Sequence, residues 1–331
     1  MKNGIARFDY YLNKLQALLL KSSKQKNPAL WLYQNNARTP LFMLEALAKL
    51  YAGIHNKKKF TKLKAQFKLL EDTLGAIDYY DSFAKEFISN KKIPATITNY
   101  IQAQSREKIQ SLNEILKEKE WLSEDNMRIE KIRKKLAEAD WQKEKEDIKS
   151  IQHFYMLSIN QILEFIHQKD FHFENVETDV HELRRKLRWL SIYPQALQGC
   201  IQLSKAKTTP KYLSKYLTKE ITGSPYNIMP DAVDNKYFLL LEKNRFYALS
   251  WMIAELGKLK DNGLRVVVIK EALLQTTATN EKEALKKAYL LCGRGQMQLT
   301  HALSTAETLC KTYCKEKNLE SLITGTAAVK K

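Results

Sequence analysis

With 331 residues the chain has length for one large domain or two of ordinary size, at roughly 100–200 residues each, and ten glycines and seven prolines are too few for many short strands. A formal net charge of +18 implies a polyanionic partner or surface: polyphosphate, nucleic acid or an acidic membrane face. No apolar run approaches the roughly 18 residues of a membrane span, the start from Met1 to Asp9 has no apolar signal core, and four cysteines make no disulfide framework. The expected setting is therefore the reducing cytoplasm, without membrane insertion.

Leu, Lys, Ala, Glu and Gln dominate, so the expected fold is all-α. An opening helix over 4–21 offers Phe8, Tyr11, Leu12, Leu15, Leu18 and Leu19 as its apolar side, and the polar break 22–27 before Pro28 ends it. A second helix follows Asn35 and Asn36, either of which suits a cap, with Arg38 and Pro40 in its first turn and Leu41, Leu44, Leu47, Ala48 and Tyr51 along one side. Next comes a stretch without an acid between Glu45 and Glu71. It holds Lys57, Lys62, Lys64 and Lys68 against a core side of Leu63, Phe67 and Leu70, and it is expected to end at Leu74-Gly75.

Charge separates the chain into three parts. Residues 1–103 carry seventeen basic against seven acidic side chains, 104–150 carry twelve of each, and 151–331 carry twenty-six against eighteen. The balanced middle, with Ile109, Leu112, Leu116, Ile129, Ile132 and Leu136 and a break near 123–126, reads as a long helical hairpin connecting two halves. It is also the segment that a protein partner would engage.

After an apolar helix over 151–168 comes the most informative stretch, Asp179 to Leu190. Asp179 suits an N-cap with Glu182 as its capping-box partner, and Val180, Leu183, Leu187 and Leu190 form the buried stripe of a helix reaching about residue 203. His181, Arg184, Arg185 and Arg188 recur on the opposite side. Four potential cations on one helical face repel one another, and such a face is suited to an anion, with free N–H groups and the helix dipole adding to the attraction in the first turn. Lys205, Lys207, Lys211, Lys215 and Lys219 follow; 221–234 reads as a loop, and 237–256 as a helix ending at Leu256-Gly257.

A helix opening with His181-x-x-Arg184-Arg185-x-x-Arg188 resembles the CHAD family, the conserved histidine α-helical domain, whose members bind inorganic polyphosphate. The resemblance implies two pseudo-repeated helical bundle halves framing a cationic groove, in one domain with a first half over 4–103 and a second over 151–331. The sequence has a matching echo: Asn35-x-x-Arg38, Leu74-Gly75 and Asp78 in the first half answer His181-x-x-Arg184, Leu256-Gly257 and Asp261 in the second. Arg38, His181, Arg184, Arg185 and Arg188 match the motif positions, and Lys57, Lys62, Lys64, Lys68, Lys211 and Lys215 extend the expected polyphosphate-binding set. Asn35 stands where the family pattern has histidine, and Thr39 and Phe42 stand where it has further basic residues.

Catalytic signals are poor. Gly293-Arg294-Gly295 is not followed by the Gly-Lys-Ser/Thr of a phosphate loop, and no nucleophile elbow appears. Cys310 and Cys314 with His301 fall short of a zinc pattern, and for Asp78, Asp81 and Asp261 salt bridges are a simpler account than Mg²⁺. The chain is expected to bind and not to hydrolyse, with no cofactor and no metal. Nucleic-acid binding remains the alternative, with Trp31, Tyr33, Trp189, Tyr212 and Tyr216 as candidate stacking residues, and a scaffolding role through 104–150 is the third class.

Overall fold

A computed structural model describes residues 3–123, 127–204, 208–232, 235–293 and 295–328. The expected hairpin break at Glu124-Asp125-Asn126, the lysines Lys205 and Lys207, and Arg294 lie outside the described residues. The chain divides into two compact units: Met1–Trp141 with Arg265–Gln296, and Gln142–Leu264 with Met297–Lys331.

In the first unit α1 (Asn3–Ser22), α2 (Pro28–Gln34), α3 (Arg38–Ile54), α4 (Lys57–Ile88), α5 (Ala95–Glu118) and α6 (Met127–Ala137) follow in order. The α1 stripe expected from the sequence is the buried one, with Phe8, Leu12, Leu15 and Leu19 at most 2% exposed. Sequence alone passed over α2. Pro28 begins it rather than ending α1, since proline is tolerated in a first turn, and the Asn27 side chain caps it by accepting from the Leu30 N–H. Asn35 is the C-cap of α2 and Asn36 has φ +56°, so neither caps α3, whose first residue is Arg38.

Helix α4 runs through Leu74-Gly75 without a break. The middle of the chain is likewise no bare connection: Leu112, Leu116, Trp121, Ile129, Ile132, Leu136 and Trp141 are buried. These side chains keep 104–141 within the first unit, so the unit boundary falls after Trp141 and not at 103 or 150. The charge balance of the segment gave no hint of this, because its polar residues face solvent while its sparse apolar residues pack.

The second unit opens with α7 (Glu144–Gln168). A π-helical turn (Val176–His181) leads into α8 (Glu182–Ala196). Helix α8 stops well short of residue 203, because Ile201–Ser204 is a strand, β1. Lys211–Tyr216 form a short 3₁₀ helix and Lys219–Thr222 the short α9, whose last two residues fall at the start of the expected loop 221–234. The expected helix start at residue 237 is also corrected. Tyr237–Glu242 form β2, parallel to β1, and α10 (Lys243–Thr276) follows directly. A short continuous apolar run such as Phe238, Leu239, Leu240 and Leu241 does not distinguish a buried strand from a helix start.

Gly257 lies inside α10, as Gly75 lies inside α4, so both expected terminations fail for the same reason. After α11 (Glu281–Cys292) in the first unit, α12 (Leu299–Lys315) and β3 (Ile323–Ala328) complete the second. The strand β3 lies antiparallel to β2, giving the sheet order β1-β2-β3. The fold is all-α in its bulk, with this one small sheet. Among the described residues no helix is long and apolar enough to cross a membrane.

Candidate anion-binding site

The site begins with the approach to α8. Asn175 caps the π-helical turn, its Oδ1 accepting from the N–H groups of Glu177 at 2.8 Å and Thr178 at 3.2 Å. Asp179 is not the cap the sequence suggested. Its buried carboxylate folds back to accept from the N–H groups of Glu174 at 2.8 Å and Asn175 at 3.0 Å and pairs with Lys169 at 3.0 Å. Burial pushes its pKa up, but Lys169 and the two backbone donors outweigh burial and hold it below the usual carboxylate range.

Because helical geometry starts at Val176, Glu177 stands one turn ahead of His181. Its carboxylate lies 2.9 Å from His181 Nδ1, and that contact is the main reason its pKa is lowered. Glu182, free of any capping duty, forms an ion pair with Arg185 and lies 3.5 Å from Lys186 Nζ. The cationic face is therefore partly answered by its own acids. The signal was present in the i,i+3 and i,i+4 spacings, and only the misplaced helix start hid Glu177. Arg188 is half-buried.

Arg184 is the structural centre of the face. Its Nε donates to the Ile253 carbonyl of α10 at 3.2 Å, and its guanidinium lies over Gly257, where a Cβ would come within 3.0 Å of Nε. Burial lowers its pKa, and the charge of Asp261 opposes that shift.

The first unit carries a local counterpart. Arg38 reaches from α3 to α4, where Nε pairs with Glu71 at 2.6 Å and Nη1 with Asp78 at 3.3 Å. Its guanidinium lies over Gly75, where a Cβ would be 2.7 Å from Nη2. In both units a glycine inside a long helix admits an arginine from a neighbouring helix. Glu71, Gly75 and Gly257 were not recognised as partners of these arginines, because the contacts join residues 33 to 73 positions apart.

The lysines separate into distinct groups. Lys57 and Lys62 are exposed on α4, Lys64 is half-buried, and Lys68 pairs with Asp72 at 2.6 Å. Beneath them Glu45 is 3% exposed. Burial above all, with Glu71 and Asp72 adding, pushes its pKa up to about 7, while Lys68 and Lys64 pull the other way. Lys211 is exposed on the 3₁₀ helix, but Lys215 is held by Glu316 at 2.5 Å. Glu316 also accepts from the Tyr216 hydroxyl at 2.5 Å and Asn318 Nδ2 at 3.1 Å. That network makes Lys215 a tether of its segment.

Counted by unit, the first carries thirty-two basic against nineteen acidic residues and the second twenty-three against eighteen. The larger excess lies on the unit of Arg38 and the α4 lysines, not on the unit of the histidine motif.

Four of the five aromatic candidates make contacts within the protein, and Trp31 is half-buried on α2. Tyr216 is buried, Tyr33 donates to Asp81 at 2.8 Å, Trp189 stacks on Tyr193 with ring centroids 6.1 Å apart, and the Tyr212 hydroxyl accepts from Arg245 at 2.6 Å. The acidic candidates form ion pairs, Asp81 with Lys85 and Asp261 with Lys260, both at 2.6 Å. None of the four cysteines is in a disulfide, and burial pushes the Cys314 thiol up to about 12. Among the described residues no group of three His, Cys, Asp or Glu side chains is placed to hold a metal ion.

Comparison with protein-family models, with curated proteins and with solved structures gave no match to this chain.

Proposed function

We propose that this chain is a non-catalytic binder of a linear polyanion, inorganic polyphosphate. On this reading the ligand is held by the His181, Arg184, Arg185 and Arg188 face of α8, with Arg38 and the α4 lysines as a second basic surface. The observation that carries it is the setting of Arg184. Its guanidinium is fixed at the stem by the Ile253 carbonyl and seated on Gly257, which lowers the side-chain entropy lost when a planar fork meets phosphate.

The CHAD resemblance supports the ligand class through the motif residues themselves. The seating of Arg38 on Gly75 and of Arg184 on Gly257 fits a pseudo-repeat of two halves. The charge distribution supports a ligand long enough to use several cations, since both units carry an excess. Commitment of Tyr33, Trp189, Tyr212 and Tyr216 to contacts within the protein favours a ligand recognised by charge over one recognised by base stacking. Four cysteines without a disulfide suit the reducing cytoplasm in which this reading sets the protein.

A competition titration tests it. Long-chain polyphosphate should displace labelled single-stranded RNA readily at fixed salt, and RNA should displace polyphosphate poorly. The reverse order would move the reading to nucleic acid.

A further inference from the structure

The carboxyl ends of the parallel strands β1 and β2 open onto a cavity of about 640 Å³ in the second unit, at the point where β2 passes into α10. Its size falls in the range of pockets that hold small organic ligands, about 300–1,000 Å³. Lys243, Asn244 and Tyr247 of α10 form one wall, and Leu203 and Ser204 of β1 form another. Among the described residues its lining includes one cation, Lys243, and no acid.

Glu242, the nearest carboxylate in sequence, does not line the cavity and accepts from the Arg245 N–H at 2.6 Å. Asn244 is 5% exposed, and its Nδ2 donates to Thr209 Oγ1 at 3.2 Å, which leaves the Thr209 hydroxyl proton for another acceptor. Lys243 Nζ stands 5.8 Å from the centre of the Tyr247 ring, so charge and a flat apolar surface lie side by side. Leu203 and Met229 add further apolar wall.

We propose that this cavity binds a phosphate monoester of nucleoside size. Lys243, Ser204 and Thr209 meet the phosphate, while Tyr247, Leu203 and Met229 receive the body of the ligand. A free inorganic anion leaves most of the volume empty, and an uncharged nucleoside leaves Lys243 unanswered.

The test is equilibrium binding to the full chain by calorimetry, using the four 5′-ribonucleoside monophosphates, ribose 5-phosphate, adenosine and inorganic phosphate. At least one monophosphate should bind, with adenosine and inorganic phosphate at least about tenfold weaker. Lys243→Gln, at an exposed position, should weaken it by about tenfold, the loss of one charge-assisted contact. Thr209→Val provides a second variant, expected to weaken binding without removing charge.

Polyphosphate affinity should stay within about twofold of wild type in Lys243→Gln, and the triple Arg184, Arg185 and Arg188→Gln variant should keep its monophosphate affinity. The two readings therefore fail separately. Absence of binding by every phosphate ester, equal binding by Lys243→Gln and wild type, or loss of monophosphate binding in the triple variant overturns the proposal.

Discussion

Arg184 lies against Gly257, its Nε 3.0 Å from the position a Cβ would take and 3.2 Å from the Ile253 carbonyl. Alanine at 257 gains about 1 kcal/mol of helix propensity, but it displaces a hydrogen bond from a charged donor worth about 1.5–3 kcal/mol. Gly257→Ala should therefore destabilise the wild type and stabilise an Arg184→Ala background by about 1 kcal/mol. Urea unfolding of the four proteins of this cycle measures it. Equal effects in both backgrounds would show that the glycine is not there for the arginine.

Salt dependence reports the number of phosphates engaged. Each contact to a single-stranded polyanion contributes about 0.7 to the slope of log K against log salt, so about six contacts give a slope of roughly −4. A slope no steeper than about −1 would leave one or two contacts and remove the extended-ligand reading.

Location is tested with two triple variants. Arg184, Arg185 and Arg188→Gln should weaken polyphosphate binding strongly, whereas Lys131, Lys134 and Lys135→Gln on α6 should change it little, Lys131 being paired with Glu120 at 2.9 Å. Some stability should be lost in the first variant, since Arg184 also packs on α10. Equal weakening in the two would mean diffuse binding.

The acids that answer the face should restrain it. Glu182→Gln releases Arg185 and Lys186, and Glu177→Gln releases His181. Exposed pairs are worth about 0.2–1 kcal/mol, so each substitution should raise polyphosphate affinity by up to about fivefold at low salt. A fall in affinity in either variant would mean that the carboxylate orients the cation for the ligand.

Glu45 gives a pH signature. Its folded pKa of about 7 lies above the ordinary value, so between about 4.5 and 7 the folded state holds a proton that the unfolded state has released. This carboxylate therefore lowers stability as pH rises through that window and has no further effect above it. Glu45→Gln should match wild type near pH 4 and exceed it at pH 8 by up to about 3 kcal/mol. Denaturant midpoints for both proteins at the two pH values decide it; the same difference at both would show that Glu45 ionises as an ordinary carboxylate.

The sequence by itself determined the helices with a clear period. Phe8 to Leu19, Leu41 to Tyr51 and Leu183 to Leu190 are buried where their spacing of three and four required, because amphipathicity is a local property that burial of any kind selects. It also determined which cations share the α8 face, since that depends only on helical pitch. It could not place the start of that helix. Asn175 and the pairing of buried Asp179 with Lys169 set the start, and several nearby polar residues would have served equally well as caps.

Tertiary structure alone decided the rest. The role of Gly75 and Gly257 depends on arginines 37 and 73 residues earlier, and a glycine in a helical pattern reads locally as a terminator until the neighbour that occupies its missing side chain is known. The three strands needed one another. Ile201–Ser204 and Tyr237–Glu242 are too short to carry a period, and only pairing of β2 with both β1 and β3 makes strands of them. The unit boundary after Trp141 was likewise hidden, because burial of Trp121, Leu136 and Trp141 is decided by the surfaces they meet and not by the balanced charge around them.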